Sequence, residues 1–325
     1  MPDRGEGGVS EGAARSRGGT YPVRRGVPLP FEEIDRPRPP AGGERFRLRL
    51  GPLVLDLHGL DARRAGELRA RYGPYASEPE GSLPGSLEVS VRLEERAYFL
   101  EPPARPEFNP VFLDYAGGRV RYLGYKVAGW FDTLGGRGVL VLAQGTYEPD
   151  LRAFENYIRA AVAWQAARRG GALVHAASAV LAGRAYLFYG QSGAGKSTLA
   201  ACNRRGTVVS DDLSLVLPGE EGRPELVGSP FRGTYEEGAP VVGRFPVAAG
   251  FRLVQDTQAA VKTVSRSRAL AELVGNLTFV AELYARAPEL WEALERTFRE
   301  VPLAHLHFRK DDSYWDAIAG MEEGR

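Results

Sequence analysis

Cysteine is almost absent from this chain of 325 residues, which carries a single one, Cys202. One cysteine cannot form an internal disulfide or build a cysteine-based zinc site, so we expect a reducing compartment. No run of 18 apolar residues occurs, which argues against a transmembrane helix. The first 19 residues lack the apolar segment of a secretory signal. These absences predict a cytoplasmic protein with no membrane partner.

An excess of charge of one sign is also lacking. Lysine and arginine number 42 against 41 aspartates and glutamates, a formal net charge of +1. Such a balance provides no general attraction for nucleic acid, so we expect no nucleic-acid partner. Hydrophobic residues make up 43% of the chain, which is ordinary for a protein with a packed core.

Three segments follow from the pattern along the chain. Residues 1–43 are rich in glycine and proline and predict a disordered N-terminal tail. Residues 44–148 contain short alternating runs that predict a small α+β domain rich in antiparallel strands, in which His58 is structural. Residues 149–325 form the second domain, which begins with a helix over residues 151–169 that has one apolar stripe.

The second domain contains the pattern G-x-x-x-x-G-K-[ST], formed by Gly190, Gln191, Ser192, Gly193, Ala194, Gly195, Lys196 and Ser197. The composition of the chain gives roughly 0.005 accidental matches to this pattern. An apolar strand over residues 185–189 precedes the pattern and a short helix over 197–204 follows it. This setting predicts a phosphate-binding loop that holds a nucleotide.

The residues of the loop have expected roles in binding a nucleotide. Glycines allow backbone N–H groups to surround phosphate oxygens, and we expect residues 190–198, ending at Thr198, to bind the nucleotide. Lys196 can reach the β- and γ-phosphates, and the hydroxyl of Ser197 can ligate Mg²⁺.

An acidic pair and a histidine complete the candidate site. Asp211 and Asp212 end a short strand over residues 207–210, which we expect to return directly beside the loop strand. One carboxylate would join Ser197 as a metal ligand, and the other would accept a proton from an attacking hydroxyl. His175 begins the preceding strand, and a hairpin turn at Ala182-Gly183 would bring it back towards the loop.

This order of features resembles the catalytic domain of HPr kinase/phosphorylase and its diverged relatives. The shared features are His175, Gly183, an apolar strand, the loop GQSGAGKS, Arg205-Gly206 and the strand VVSDD. The resemblance implies an α/β fold with an HPr-kinase/PEP-carboxykinase-like P-loop domain, preceded here by the small strand-rich α+β domain. It also implies ATP and Mg²⁺ as cofactors and transfer of the γ-phosphate to a serine hydroxyl. In the family, the histidine and the aspartate pair take part in this transfer, so His175, Lys196, Asp211 and Asp212 are the catalytic candidates.

The chain departs from the family in several places. Thr198 stands where these kinases carry an acidic residue, and their glycine-rich signature after the acidic strand is not found. The N-terminal domain also differs from theirs. The pattern is more similar to diverged HPr-kinase-like proteins that phosphorylate a serine on a peptide, so the expected partner is a protein or peptide, and homo-oligomers are possible in this family.

Two other functions remain open from the sequence. A small-metabolite P-loop kinase also has an acidic strand soon after its loop, but such proteins begin with the loop strand. A non-catalytic nucleotide-binding sensor or scaffold would not need Lys196, Ser197 and both aspartates. Among other candidates, Arg232 could bind a phosphate group through its positive charge. His305 and His307 share one side of a strand, without an evident third metal ligand.

Overall fold

The structure is a computed structural model that describes residues 23–25, 31–78, 81, 83, 85–103, 111–220, 222–233, 238–284 and 287–323. Within these ranges the chain forms two large mixed β-sheets, with helices between them and on the outer side, so the fold is mixed α/β. No helix in these ranges is long and apolar enough to cross a membrane.

The first sheet is built from nine short strands of the described N-terminal half. They are β1 (Val23–Arg25), β2 (Glu44–Leu50), β3 (Leu53–Leu60), β4 (Ala76–Ser77), β5 (Leu87–Leu93), β6 (Val111–Ala116), β7 (Arg119–Leu123), β8 (Val127–Asp132) and β9 (Gly136–Leu142). Their order across the sheet is β1-β6-β7-β8-β9-β5-β3-β2-β4. Tight turns make β2–β3 and β6 to β9 antiparallel, whereas β3, β5 and β9 run parallel in the middle.

Part of the segment predicted to be disordered is ordered. Strand β1 pairs in parallel with β6, and helix α1 (Phe31–Asp35) follows it. Ile34 is fully buried in a small cluster with Trp130 and its neighbours, and Arg38 pairs with Glu94. This short segment can be ordered because the first sheet offers it an open edge to pair with and an apolar surface to pack on. The prediction is corrected for residues 23–25 and 31–43; residues 1–22 and 26–30 lie outside the described ones.

The second sheet contains eight strands of the described C-terminal half. They are β10 (Ala172–Leu181), β11 (Arg184–Tyr189), β12 (Thr207–Ser210), β13 (Leu213–Pro218), β14 (Pro224–Val227), β15 (Arg244–Gln255), β16 (Ala260–Thr263) and β17 (Leu303–Phe308). The order is β11-β10-β13-β14-β15-β17-β16, with β12 beside β10. Because β11 also pairs with β15, five of the strands close into a ring. The parallel strands β11, β15 and β17 end at the same edge.

Strand β10 is shared between two parts of this sheet. Residues Ala172 to His175 pair with β13, and residues Ala176 to Leu181 pair with β11 across the expected hairpin. The sequence predicts that β12 lies directly beside the loop strand β11. In the structure, β12 pairs with β10 instead. The reason is tertiary: the other edge of β11 is occupied by β15, which comes from far along the chain.

Most of the helices cover the two faces of the second sheet, whereas the first two in the chain pack on β8 and β2 of the first sheet. In chain order after α1 they are α2 (Ala62–Tyr72), α3 (Asp150–Arg168), α4 (Lys196–Cys202), α5 (Arg266–Val274), α6 (Ala281–Tyr284), α7 (Pro288–Phe298) and α8 (Tyr314–Glu323). Helices α4 and α8 pack on one face, where Trp315 meets Tyr186 and Phe188. Helices α3, α5 and α7 pack on the other face.

Helix α3 lies between the two sheets. Its bounds agree with the prediction, but it is buried on nearly every side from Ala153 to Ala167 instead of along one stripe. It contacts β3, β8 and β9 of the first sheet and β10 and β13 of the second. One hydrophobic cluster runs through it from Phe46 to Leu303. The predicted boundary at residue 149 therefore separates the sheets, while α3 belongs to the core of both.

Candidate functional site

The glycine-rich loop connects β11 to α4 in the strand–loop–helix order that the motif requires. Gly193 and Gly195 have φ angles of +80° and +104°, a region that side chains disfavour. Lys196 begins α4 and turns back over the loop, where its ammonium group donates to the carbonyls of Gly190 at 2.8 Å and Gln191 at 3.2 Å. These two hydrogen bonds hold the Lys196 ammonium group against the first residues of the loop.

The ends of strands β15 and β17 contact the glycine-rich loop. Gln255, at the end of β15, donates through Nε2 to the carbonyl of Gly193 at 2.7 Å. The ring of Phe308, at the end of β17, lies so close to Gly195 that a Cβ there would be 2.5 Å from its Cζ atom. The sequence analysis missed both residues, because nothing in the local motif signals which distant strands end beside it.

The two aspartates occupy the turn between β12 and β13, and both strands lie along β10. Ser210 shapes this turn: its hydroxyl accepts from the backbone N–H groups of Asp212 and Leu213 and donates to the carbonyl of Phe231. Leu213, the residue after Asp212, pairs with His175 of β10, so the turn lies next to the histidine.

Asp211 faces the glycine-rich loop. Its Oδ2 atom accepts from the hydroxyl of Ser197 at 3.3 Å, and its Oδ1 atom accepts from the backbone N–H of Gly233 at 2.7 Å. Asp211 is only 2% exposed. The first residue of α4 after Lys196 and the acidic turn therefore meet at hydrogen-bond distance.

Asp212 faces the histidine. His175 lies one residue before Ala176, which pairs with Tyr189 at the start of the loop. The Nε2 atom of His175 is 3.5 Å from Oδ1 of Asp212. Burial, together with the nearby Lys196 cation, lowers the pKa of His175 to about 3, so the imidazole is neutral at pH 7. Burial also lowers the pKa of Lys196, against the attraction of Asp212.

The structure brings together the predicted residues Lys196, Ser197, Asp211, Asp212 and His175. Gln191, Ser192 and Gly193 form the exposed tip of the loop, Ala194 and Gly195 are half-buried, and Thr198 is half-buried in α4.

Three other predicted candidates, Arg232, His305 and His307, make contacts outside this group, and so does His58, which the sequence predicted to be structural. Arg232 donates to the carbonyls of Val209, Gly238 and Ala239, so it holds a loop together instead of facing the phosphate loop. His305 and His307 contact the carboxylates Glu272 and Asp256, respectively. His58 lies on β3 of the first sheet, away from this group.

One further arginine reaches the acidic pair. Arg159, from the middle of α3, places its Nη1 atom 3.5 Å from Oδ2 of Asp212. Sequence analysis missed this residue, since it belongs to a buried helix that precedes the whole motif. Its charge within a mostly apolar helix was the one available signal.

The oxygen donors of this group fit a hard divalent cation bound together with phosphate. Mg²⁺ is commonly held by one or two protein oxygens, with phosphate oxygens and water completing its coordination. The Ser197 hydroxyl and the Asp211 carboxylate converge at 3.3 Å beside the loop. Among the described residues, no cluster of three or more histidine, cysteine, aspartate or glutamate side chains could hold a metal by itself.

The fold and the site together define a mixed α/β protein whose glycine-rich loop, lysine and hydroxyl adjoin a buried acidic turn. No protein-family model matches the chain, and no curated protein matches it.

Proposed function

We propose that this protein is an ATP-dependent phosphotransferase that transfers the γ-phosphate to a serine hydroxyl of a protein or peptide. The observation that supports this most strongly is the convergence of Lys196, Ser197 and Asp211 around the glycine-rich loop. A glycine-rich turn that served only to begin a helix would not need a buried lysine and a buried carboxylate beside it. The order of these elements is also similar to the HPr-kinase/PEP-carboxykinase type of P-loop domain.

Nucleotide binding follows from the loop and its lysine. The backbone N–H groups of residues 191–197 would surround the phosphates, and the N-terminus of α4 would add its positive end. Lys196 now donates to two carbonyls of its own loop, and a bound phosphate would offer these donors a stronger, charged acceptor. Burial lowers the pKa of Lys196 although the Asp212 charge raises it, and a bound phosphate would stabilise the ammonium group further.

The surroundings of the two aspartates suggest different roles. Asp211 contacts Ser197, so these two oxygens would hold Mg²⁺, which supplies charge neutralisation at the phosphates when bound. Asp212 instead lies 3.5 Å from Nε2 of His175 and 3.5 Å from Nη1 of Arg159. Asp212 would accept the proton of the acceptor hydroxyl as its oxygen bonds to the γ-phosphorus and ADP leaves. Neutral His175 would orient this carboxylate without competing for its charge.

The experiment that tests the proposal is nucleotide binding by calorimetry with ATP, ADP and Mg²⁺. We expect micromolar, Mg²⁺-dependent binding in the wild type, and a loss of about 100-fold or more in Lys196→Ala. Lys262→Ala is the matched control, because Lys262 is an exposed lysine of strand β16. A wild type that binds no nucleotide, or a Lys196→Ala variant that binds as well as the control, would overturn the proposal.

Two further variants separate the acidic roles. Asp211→Asn should raise the Mg²⁺ concentration needed for half-maximal binding of ATP, because it removes a charged metal ligand. Asp212→Asn should leave binding within about twofold and lower the rate of phosphate transfer by roughly 100-fold or more, as expected for a lost general base. Identical behaviour of the two variants would contradict this division of roles.

A further inference from the structure

We infer that Arg159 is a positioning residue that holds the Asp212 carboxylate and links the site to the N-terminal sheet, an inference that rests on the proposed function. Arg159 is 8% exposed in the middle of α3. Its Nη1 atom lies 3.5 Å from Oδ2 of Asp212, and its Nη2 atom pairs with Glu155, one helical turn earlier. One planar guanidinium therefore spans two carboxylates.

The contacts continue outwards from Arg159. Glu155, 13% exposed, also lies 3.8 Å from the Nε atom of Arg71 in helix α2. Tyr72, next to Arg71, is buried, and its pKa is raised well above the usual range by burial and by the charge of Glu155. Helix α2 packs on β2 of the first sheet. Charges of alternating sign thus run from the N-terminal sheet through α3 to the acidic turn.

The acidic turn needs such a support for an electrostatic reason. Asp211 and Asp212 are adjacent carboxylates in a poorly hydrated place, where like charges repel strongly. A cation beside Asp212 reduces this repulsion while its fork fixes the direction of one carboxylate oxygen. The ring of Phe231, 5.7 Å from the Arg159 Cζ atom, covers the guanidinium on one side.

Helix α3 is well suited to carry this residue. It is packed between the two sheets from Ala153 to Ala167, and Arg159 lies in the middle of this buried stretch. A lysine at this position would keep the charge but could not bridge Glu155 and Asp212 in one plane. Helix α2, which packs on the first sheet, thereby contributes to the geometry of the site.

The test combines kinetics with unfolding on Arg159→Met, Arg159→Lys, Asp212→Asn and the double variant Arg159→Met/Asp212→Asn. With water as the acceptor, we expect Arg159→Met to lower the kcat of ATP hydrolysis about 10- to 100-fold, as loss of an outer-sphere partner does. The KM for ATP should stay within about twofold, since the loop is untouched. Arg159→Lys should recover part of kcat. Arg159→Met should cause no further loss in the Asp212→Asn background.

Unfolding supplies a readout that does not depend on activity. Arg159→Met should lower the apparent Tm by roughly 6 °C or more, and by less than half of that in the Asp212→Asn background. The control is Arg168→Met, the same substitution at the end of α3, where Arg168 pairs only loosely with Glu289 at 3.8 Å. This control should leave kcat unchanged.

Three results would overturn the inference: a folded Arg159→Met variant with unchanged kcat, an equal loss of kcat in both backgrounds, or equal Tm losses in both backgrounds. A wild type that shows no Lys196-dependent binding of ATP would instead refute the proposed function. In that case the Tm comparison still decides whether Arg159 holds Asp212.

Discussion

Alanine at Gly195 is the sharpest probe of the loop geometry, because the chain offers a matched glycine two residues away. Both Gly193 and Gly195 have φ angles in the left-handed region. A Cβ on Gly193 would meet no atom within 4 Å, whereas a Cβ on Gly195 would lie 2.5 Å from Cζ of Phe308. The two substitutions therefore share the backbone strain and differ in the steric collision.

The expected magnitudes follow from these two contributions. A left-handed conformation costs a residue with a Cβ about 1–2 kcal/mol. Forcing an extra methyl group against a packed ring costs about 1–3 kcal/mol more. The Phe308 ring is 2% exposed and cannot move aside into solvent. Gly193→Ala should lower the free energy of unfolding by about 1–2 kcal/mol and Gly195→Ala by about 2–5 kcal/mol.

Urea unfolding followed by tryptophan fluorescence measures this difference, with equal m values as the check that the same surface is exposed. The variant Gly195→Ala/Phe308→Leu should be more stable than the sum of its single changes predicts, because leucine lacks the far end of the ring. Equal losses in Gly193→Ala and Gly195→Ala, or purely additive losses in the double variant, would refute the described packing beneath the loop.

Three further predictions concern other parts of the molecule. Asp56→Asn should lower the free energy of unfolding by about 3–5 kcal/mol in urea unfolding, because it removes the carboxylate that lies 2.6 Å from the buried Arg47 guanidinium; a loss below about 1 kcal/mol would contradict this. Without metal or nucleotide, the neutral His175 must destabilise the fold as the pH falls below 6.5, since only the unfolded chain then binds the proton. Between about pH 6.5 and pH 5, His175→Gln should lose about 1.5 kcal/mol less stability than the wild type, and parallel pH profiles would refute the lowered pKa. Ile34→Ala should speed limited proteolysis near α1 at least about tenfold relative to cleavage elsewhere, because Ile34 is the fully buried anchor of that segment; unchanged cleavage would contradict the anchoring.

Local patterns predicted much of the second domain. The bounds of α3 agree with the helix predicted over residues 151–169, and the hairpin of β10 and β11 turns at Ala182-Gly183 as expected. These features depend on residues close together in the chain, such as Ala182 and Gly183, which both have positive φ angles at the turn. The glycine-rich loop falls in the same class, because its glycines and its lysine are contiguous.

Long-range packing decided what local patterns could not. The sequence of α3 predicts a helix with one apolar stripe, yet a second sheet covers its other side. Residues 31–43 are ordered because the first sheet provides a surface for Ile34. Both outcomes depend on surfaces assembled from distant segments, which no window of neighbouring residues contains.

The candidate site divides in the same way. Local sequence specifies the chemical groups of the site: the loop with Lys196 and Ser197, and the acidic pair that ends a strand. Long-range packing places β12 beside β10, Asp211 next to Ser197, and Arg159 of α3 next to Asp212. The physical reason is that backbone conformation and side-chain chemistry are local, whereas strand order and ion pairs depend on which distant surfaces exclude water together.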